Sequence, residues 1–182
     1  MDNQCLELTH YFNHKLILSE LDEDKVQRPI TCSHNPVNQK VMYNTPFQLI
    51  SRSRDHEYGN VACEGQTIEI DPKHYRSINI LGFAELGDFS EKWRFVGMDG
   101  TQVETGFTLI NGYVNDCWGS DDQNCKLAFT AKGDQRNLVF FETNTMYIRY
   151  YKSMIPEVKS PITRVIFPNN PNIHILAITL DF

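Results

Sequence analysis

Tyr75-Arg76-Ser77-Ile78-Asn79-Ile80-Leu81-Gly82-Phe83-Ala84, with the segment that follows it to Leu109, is the stretch whose reading decides the fold. From Arg76 to Ala84 the residues alternate as in a strand. Ile78 and Ile80 point one way, Leu81 and Phe83 the other, so both faces are apolar and the strand belongs at the centre of a buried sheet. Gly82 suits a place where another backbone passes close. Glu85-Leu86-Gly87-Asp88-Phe89-Ser90 then reads as a polar loop. A hairpin follows: Lys92 to Val96, a turn at Met98-Asp99-Gly100, and Thr101 to Leu109, with Val103, Thr105, Phe107 and Leu109 opposed to Gln102 and Glu104. Asp-Gly between two alternating runs signals a hairpin because both residues tolerate positive φ.

Working outward toward the amino terminus, Leu6 to Phe12 fits a short strand or a helical turn. Val26 to Lys40 reads as a long polar loop, and Val41 to Ile50 as strand, loop, strand around Asn44-Thr45-Pro46. Asn60 to Ile70 resumes the β pattern with a kink at Gly65-Gln66, and Asp71-Pro72-Lys73-His74 is expected to turn the chain into the central strand. Toward the carboxyl terminus, Asn111 to Gln123 is a polar loop. Lys126 to Ala131, Leu138 to Thr143, Met146 to Lys152 and Ile162 to Phe167 are β-like. Pro168-Asn169-Asn170-Pro171 makes a corner, and Ile173 to Leu180 is a buried closing strand whose removal should be costly. No amphipathic helix longer than about two turns fits the apolar spacing. Many short strands without a βαβ rhythm mean an all-β antiparallel sandwich, one domain over residues 1–182. The expected core includes Ile78, Ile80, Trp93, Phe95, Phe107, Phe141, Val165, Phe167, Ile175 and Ile178.

Composition sets the outer limits. The chain has 182 residues, 41% of them hydrophobic and 22% charged, with a formal net charge of -6. That charge argues against sequence-independent nucleic-acid binding, which needs a positive field, and there is no basic helix for a lipid surface. The start, Met1-Asp2-Asn3-Gln4-Cys5-Leu6, lacks the features of a secretory signal, and no apolar run is long enough to span a bilayer. Cys5, Cys32, Cys63, Cys117 and Cys125 show no Cys-x-x-Cys and no regular spacing, so reduced thiols in a cytoplasm are expected.

Catalytic patterns are mostly missing: no Gly-x-Ser-x-Gly, no phosphate loop, no His-Glu-x-x-His. His10 and His14 would share a helix face, yet the segment serves equally well as a strand, so no metal and no cofactor is expected. His174 reads as a hydrogen-bonded histidine at the edge of the core. Loop carboxylates such as Glu85 and Asp116 could form a glycosidase pair, but loop acids also serve solubility. What rises above the background is aromatic side chains among amides and carboxylates: Tyr58, Asn60, Asp88, Asn111, Tyr113, Asp116 and Trp118. An aromatic face stacks on a pyranose while amides and carboxylates bond its hydroxyls. The bland alternative is that Trp118 caps the sandwich and the amides make turns.

Asn60-Val61-Ala62-Cys63-Glu64-Gly65-Gln66-Thr67-Ile68, Tyr75 to Ala84, Gly87-Asp88-Phe89-Ser90, Asp99-Gly100-Thr101, Gly106-Phe107 and Asn170 to Leu180 together resemble galactose-binding-domain-like β-sandwich modules. Such modules recur in bacterial proteins, many beside glycoside hydrolase domains. The resemblance implies a jelly roll of two antiparallel sheets with ligands, where they occur, at the loops of one end. The expected function is a non-catalytic, carbohydrate-related recognition module. The alternatives are a structural protein that forms a homo-oligomer or pairs with another chain, and a sugar-acting enzyme using the Glu85 and Asp116 carboxylates.

Overall fold

The computed structural model describes residues 2–13, 37–50, 59–114, 125–132 and 145–182. Its twelve strands are β1 (Asn3–Cys5), β2 (Val37–Met42), β3 (Thr45–Ile50), β4 (Val61–Glu64), β5 (Thr67–Lys73), β6 (Ser77–Ala84), β7 (Phe89–Gly97), β8 (Gln102–Leu109), β9 (Cys125–Lys132), β10 (Thr145–Met154), β11 (Ile162–Ile166) and β12 (Asn169–Asp181). Among the described residues the helical content is one 3-10 turn, Thr9–Tyr11. The chain is an all-β antiparallel sandwich. One sheet runs β1-β12-β6-β10-β9 with β4 also paired to β12, and the facing sheet runs β5-β11-β7-β8. This order is consistent with a jelly roll.

β6 sits where its sequence demands. It pairs antiparallel with β10 on one side and β12 on the other, and all eight of its residues are buried. Ile78, Ile80 and Ala84 face the core between the sheets, together with Trp93, Phe95, Phe107, Val165, Phe167, Ile175 and Ile178. Leu81 and Phe83 face outward and are covered by a third layer, the β2–β3 hairpin. Met42, Phe47 and Leu49 of that hairpin pack on Leu81, Phe83, Ile148, Tyr150 and Leu176. An antiparallel sheet commonly leaves one face to solvent; here the added hairpin closes it. Phe141, also expected in the core, lies outside the described residues.

Several boundaries differ from the sequence reading, among them the start of β7 at Phe89 instead of Lys92. Val37–Lys40, read as loop, is strand β2, because Tyr43 and Asn44 (φ 52° and 65°) form the tight turn one position earlier than Asn44-Thr45-Pro46. Asp71, Pro72 and Lys73 continue β5 instead of turning. Pro72 is tolerated because β5 is an edge strand and its pairing with β11 is irregular there. Pro171 does not end a corner either. It lies inside β12, where the register with β4 shifts between Asn170 and His174.

The β7–β8 turn also departs in detail. Gly97 and Thr101 close it through the Gly97 N–H and Thr101 carbonyl at 2.8 Å, and Gly100 alone of the Asp-Gly pair takes positive φ, 84°. Asp99 instead uses its side chain, accepting from the Thr101 N–H at 2.9 Å. The two crossings between sheets are fastened to each other. Gly65, at φ 77°, donates to the Pro168 carbonyl, and Phe167 donates to the Gln66 carbonyl.

Candidate functional site

Beyond Ala84, strands β6 and β10 part, and the end of the β8 segment enters the gap. Ala84 donates to the Ile110 carbonyl at 3.0 Å, Gly112 donates to the Ala84 carbonyl at 2.8 Å, and Tyr147 donates to the Gly112 carbonyl at 2.7 Å. The segment 110–112 thus becomes a short wedge in the larger sheet, parallel to β6 at Asn111. Arg149, buried on β10, locks it from below. Its guanidinium donates to the carbonyls of Asn111 (3.1 Å), Tyr147 (3.2 Å) and Val114 (2.6 Å), while its Nε has no partner among the described residues.

Most of the expected ligand residues that the structure describes gather at this end, and each has a local bond. Asp88 Oδ1 accepts from the Asn111 N–H at 2.7 Å, and Asn111 Oδ1 accepts from the Tyr113 N–H at 3.0 Å, a side-chain turn of the kind asparagine favours. Tyr113 packs into the outer core. Asn60 is fully buried, its Oδ1 3.0 Å from His174 Nδ1. His174 Nε2 lies 3.6 Å from Glu85 Oε2, so His174 is the bonded, core-edge histidine that its apolar neighbours suggested. Asp88 and Asn111 stay accessible at the surface. Tyr58, Asp116 and Trp118 lie outside the described residues, and with Asp116 goes the partner of Glu85 in the carboxylate-pair reading.

A cleft that the sequence reading did not single out lies between the β7–β8 hairpin and the β9–β10 pair, with a volume of about 320 Å³. Ser90, Glu91, Lys92, Gly106, Phe107, Thr108, Cys125, Tyr151, Lys152 and Ser153 line it. Ser90 and Thr108 hydroxyls bond each other across the hairpin at 2.8 Å. Glu91 Oε1 accepts from Asn170 Nδ2 at 2.9 Å, leaving its second oxygen toward other donors. Both ammonium groups have a carboxylate partner: Lys92 Nζ is 3.0 Å from Glu104 at the surface, and Lys152 Nζ is 3.2 Å from Asp181. The Tyr151 hydroxyl accepts from the Ile110 N–H at 3.0 Å, and burial pushes its phenol pKa far up, with the neighbouring Cys125 adding to the effect. It is a neutral hydroxyl across the physiological range.

These residues escaped notice because they sit on ordinary alternating strands and meet only through sheet packing. The strand glycine among them is no signal of close approach either. Gly106 occupies an outward position in β8 with no turn to serve, and a strand glycine often marks close approach of another group. Yet a Cβ built there would meet nothing nearer than the Glu91 carbonyl, at 3.7 Å.

Residues 4–181 match the AziU2-like beta-sandwich domain family, and the chain belongs to that family. No curated protein matches it. Among the described residues no helix is long and apolar enough to cross a membrane.

Proposed function

We propose that this AziU2-like β-sandwich chain is a non-catalytic recognition module for a neutral carbohydrate-type ligand, galactose-binding-like in manner, and that it works in a cytoplasm. The observation that carries the reading is the charge state of the cleft. Hydroxyls of Ser90, Thr108 and Ser153 and the second oxygen of Glu91 are donors and acceptors for a polyol, over a floor formed by the buried side chains of Phe107 and Tyr151. Among the described residues that line the cleft, Lys92 and Lys152 each have a carboxylate partner, which weakens the attraction for a phosphate or a uronate. The loop end expected from the sequence, with Asp88, Asn111 and Trp118, remains the rival location for the same ligand class.

The test is a glycan array followed by titration on the wild type, Gly106→Tyr and Trp118→Ala. Gly106→Tyr fills the cleft from a position with open space, so it should fold and lose binding. Affinity should be modest, on the order of micromolar to millimolar for a simple sugar. Loss confined to Trp118→Ala moves the site to the loop end. A wild type that binds no sugar at millimolar concentration ends the carbohydrate reading.

A further inference from the structure

A second cavity, of about 440 Å³, opens at the opposite end of β6, between the β5–β6 connection and the segment that follows β10. Its wall is divided by chemistry. Ile155 and Val158 are buried apolar side chains, Tyr75 is buried beside them, and the largely exposed Met154 stands at the side. The remaining lining residues are His74, Arg76 and Glu157, all at the surface. Among the described residues neither Arg76 nor Glu157 has an ion-pair partner, unlike the lysines of the cleft.

The backbone that carries these groups is fixed. Arg76 donates its N–H to the Asp181 carbonyl at 2.8 Å and accepts from the Ile155 N–H at 2.9 Å, so it is tied both to the closing strand and to the far wall of the cavity. Tyr75 is held through its hydroxyl by Gln4 and by the Asp71 carbonyl, and its ring meets Phe182 edge-on. Only the side chains of Arg76, Glu157, His74 and Met154 are left to adapt to a ligand.

We infer that this cavity binds a small zwitterion of the α-amino acid type with an aliphatic or thioether side chain. A planar guanidinium matches a carboxylate with two parallel hydrogen bonds, and an imidazole beside it can supply a further donor. Glu157 provides the complementary charge for an ammonium group. An apolar substituent then covers Ile155, Val158 and Met154, and methionine is a wall that adjusts to different shapes. The volume lies within the range of small-molecule sites. A simple anion would leave Glu157 facing it with the wrong sign, and a simple amine would leave Arg76 so. Only a ligand carrying both charges satisfies both walls.

The experiment is a heteronuclear NMR titration of the full chain with leucine, with 4-methylpentanoate (no ammonium) and with 3-methylbutylamine (no carboxylate). Leucine should shift the Met154 methyl and the Ile155 and Arg76 amides, with each single-charge analogue at least tenfold weaker. Arg76→Gln and Glu157→Gln, both surface changes, should each weaken leucine at least tenfold while leaving the remaining spectrum in place. Equal binding of 4-methylpentanoate would show an anion site and overturn the zwitterion assignment. So would the absence of any shift near Met154 with leucine in the tens of millimolar. The Gly106→Tyr variant should bind leucine unchanged, which separates this site from the cleft.

Discussion

The imidazole of His174 lies almost parallel to the ring of Phe83, centroids 4.8 Å apart and planes 14° apart. The two residues are register partners on β12 and β6, so the stack spans neighbouring strands on the outer face of the larger sheet. It is possible because glycines stand where side chains would collide. A Cβ on Gly82 would sit 2.5 Å from the His174 carbonyl oxygen, and one on Gly112 would sit 2.8 Å from the Phe83 ring. The central strand and the wedge therefore approach their neighbours as bare backbone.

The two glycines should differ in what they tolerate. Gly82→Ala drives a carbon into a backbone oxygen of a paired strand, which cannot step aside, and should cost at least about 3 kcal/mol. Gly112→Ala meets a ring that can shift, and should cost about 1–3 kcal/mol. Urea denaturation midpoints at constant slope measure both. A Gly82→Ala protein as stable as the wild type would contradict the close approach.

Asp181 should give the fold an acid-sensitive seam. Its burial favours the neutral acid, but hydrogen bonds from Ser77 (2.6 Å), Asn79 (3.0 Å) and Lys152 (3.2 Å) outweigh that and hold its pKa below the ordinary carboxylate value. A lowered folded-state pKa means the unfolded chain takes up the proton first as pH falls. The contribution is thus fully present above the unfolded value, near pH 4, and is lost as pH drops through the folded one. Stability measured from pH 6 down to pH 2 should fall less steeply in Asp181→Asn than in the wild type. Parallel curves would remove Asp181 from the account.

The two apolar layers should be separately sensitive. Phe95, between the sheets, and Phe47, between the larger sheet and the β2–β3 hairpin, are both fully buried. Each truncation to alanine should cost about 3–5 kcal/mol. The Phe47 variant should in addition free the outer face, seen as binding of a hydrophobic dye in the absence of denaturant. Dye binding by the Phe95 variant alone would reverse the assignment of the layers.

The doubly apolar reading of Arg76 to Ala84 was enough to place β6 at the centre, beside the closing strand β12, which is likewise apolar and buried on both faces. What the residues did not reveal is what supplies the second cover. Met42, Phe47 and Leu49 carry an alternation that any edge hairpin could have, and their partners Leu81 and Tyr150 lie far away in sequence. The site was legible in the same partial way. Asp88, Asn111 and Tyr113 lie together at one end of the sandwich, because the loops after β6 and β8 both reach it. Their turn-forming role and any ligand role call for the same residue types, so composition could not part the two. Prolines misled for a related reason: Pro72 and Pro171 sit at strand irregularities, which only pairing discloses.

Arg149 is the last test, because it joins the fold to the loop end. Its guanidinium bonds three carbonyls, two of them in the Asn111–Val114 segment, and it lies buried with a ring, Tyr147, 5.9 Å from its central carbon. Removing it relieves the cost of a buried charge but strands those carbonyls. The global stability change therefore combines opposing terms and is a poor readout. The local change has one sign. Arg149→Met keeps the length of the side chain and loses every donor, so the wedge should open more often. Since a hydrogen bond contributes on the order of 1 kcal/mol net, losing two should speed amide exchange at Gly112 and Tyr147 by roughly tenfold or more. Amides of β7, such as that of Phe95, should be unaffected by comparison. Unchanged exchange at Gly112 would mean that the backbone bonds to Ala84 and Tyr147 hold the wedge without the guanidinium.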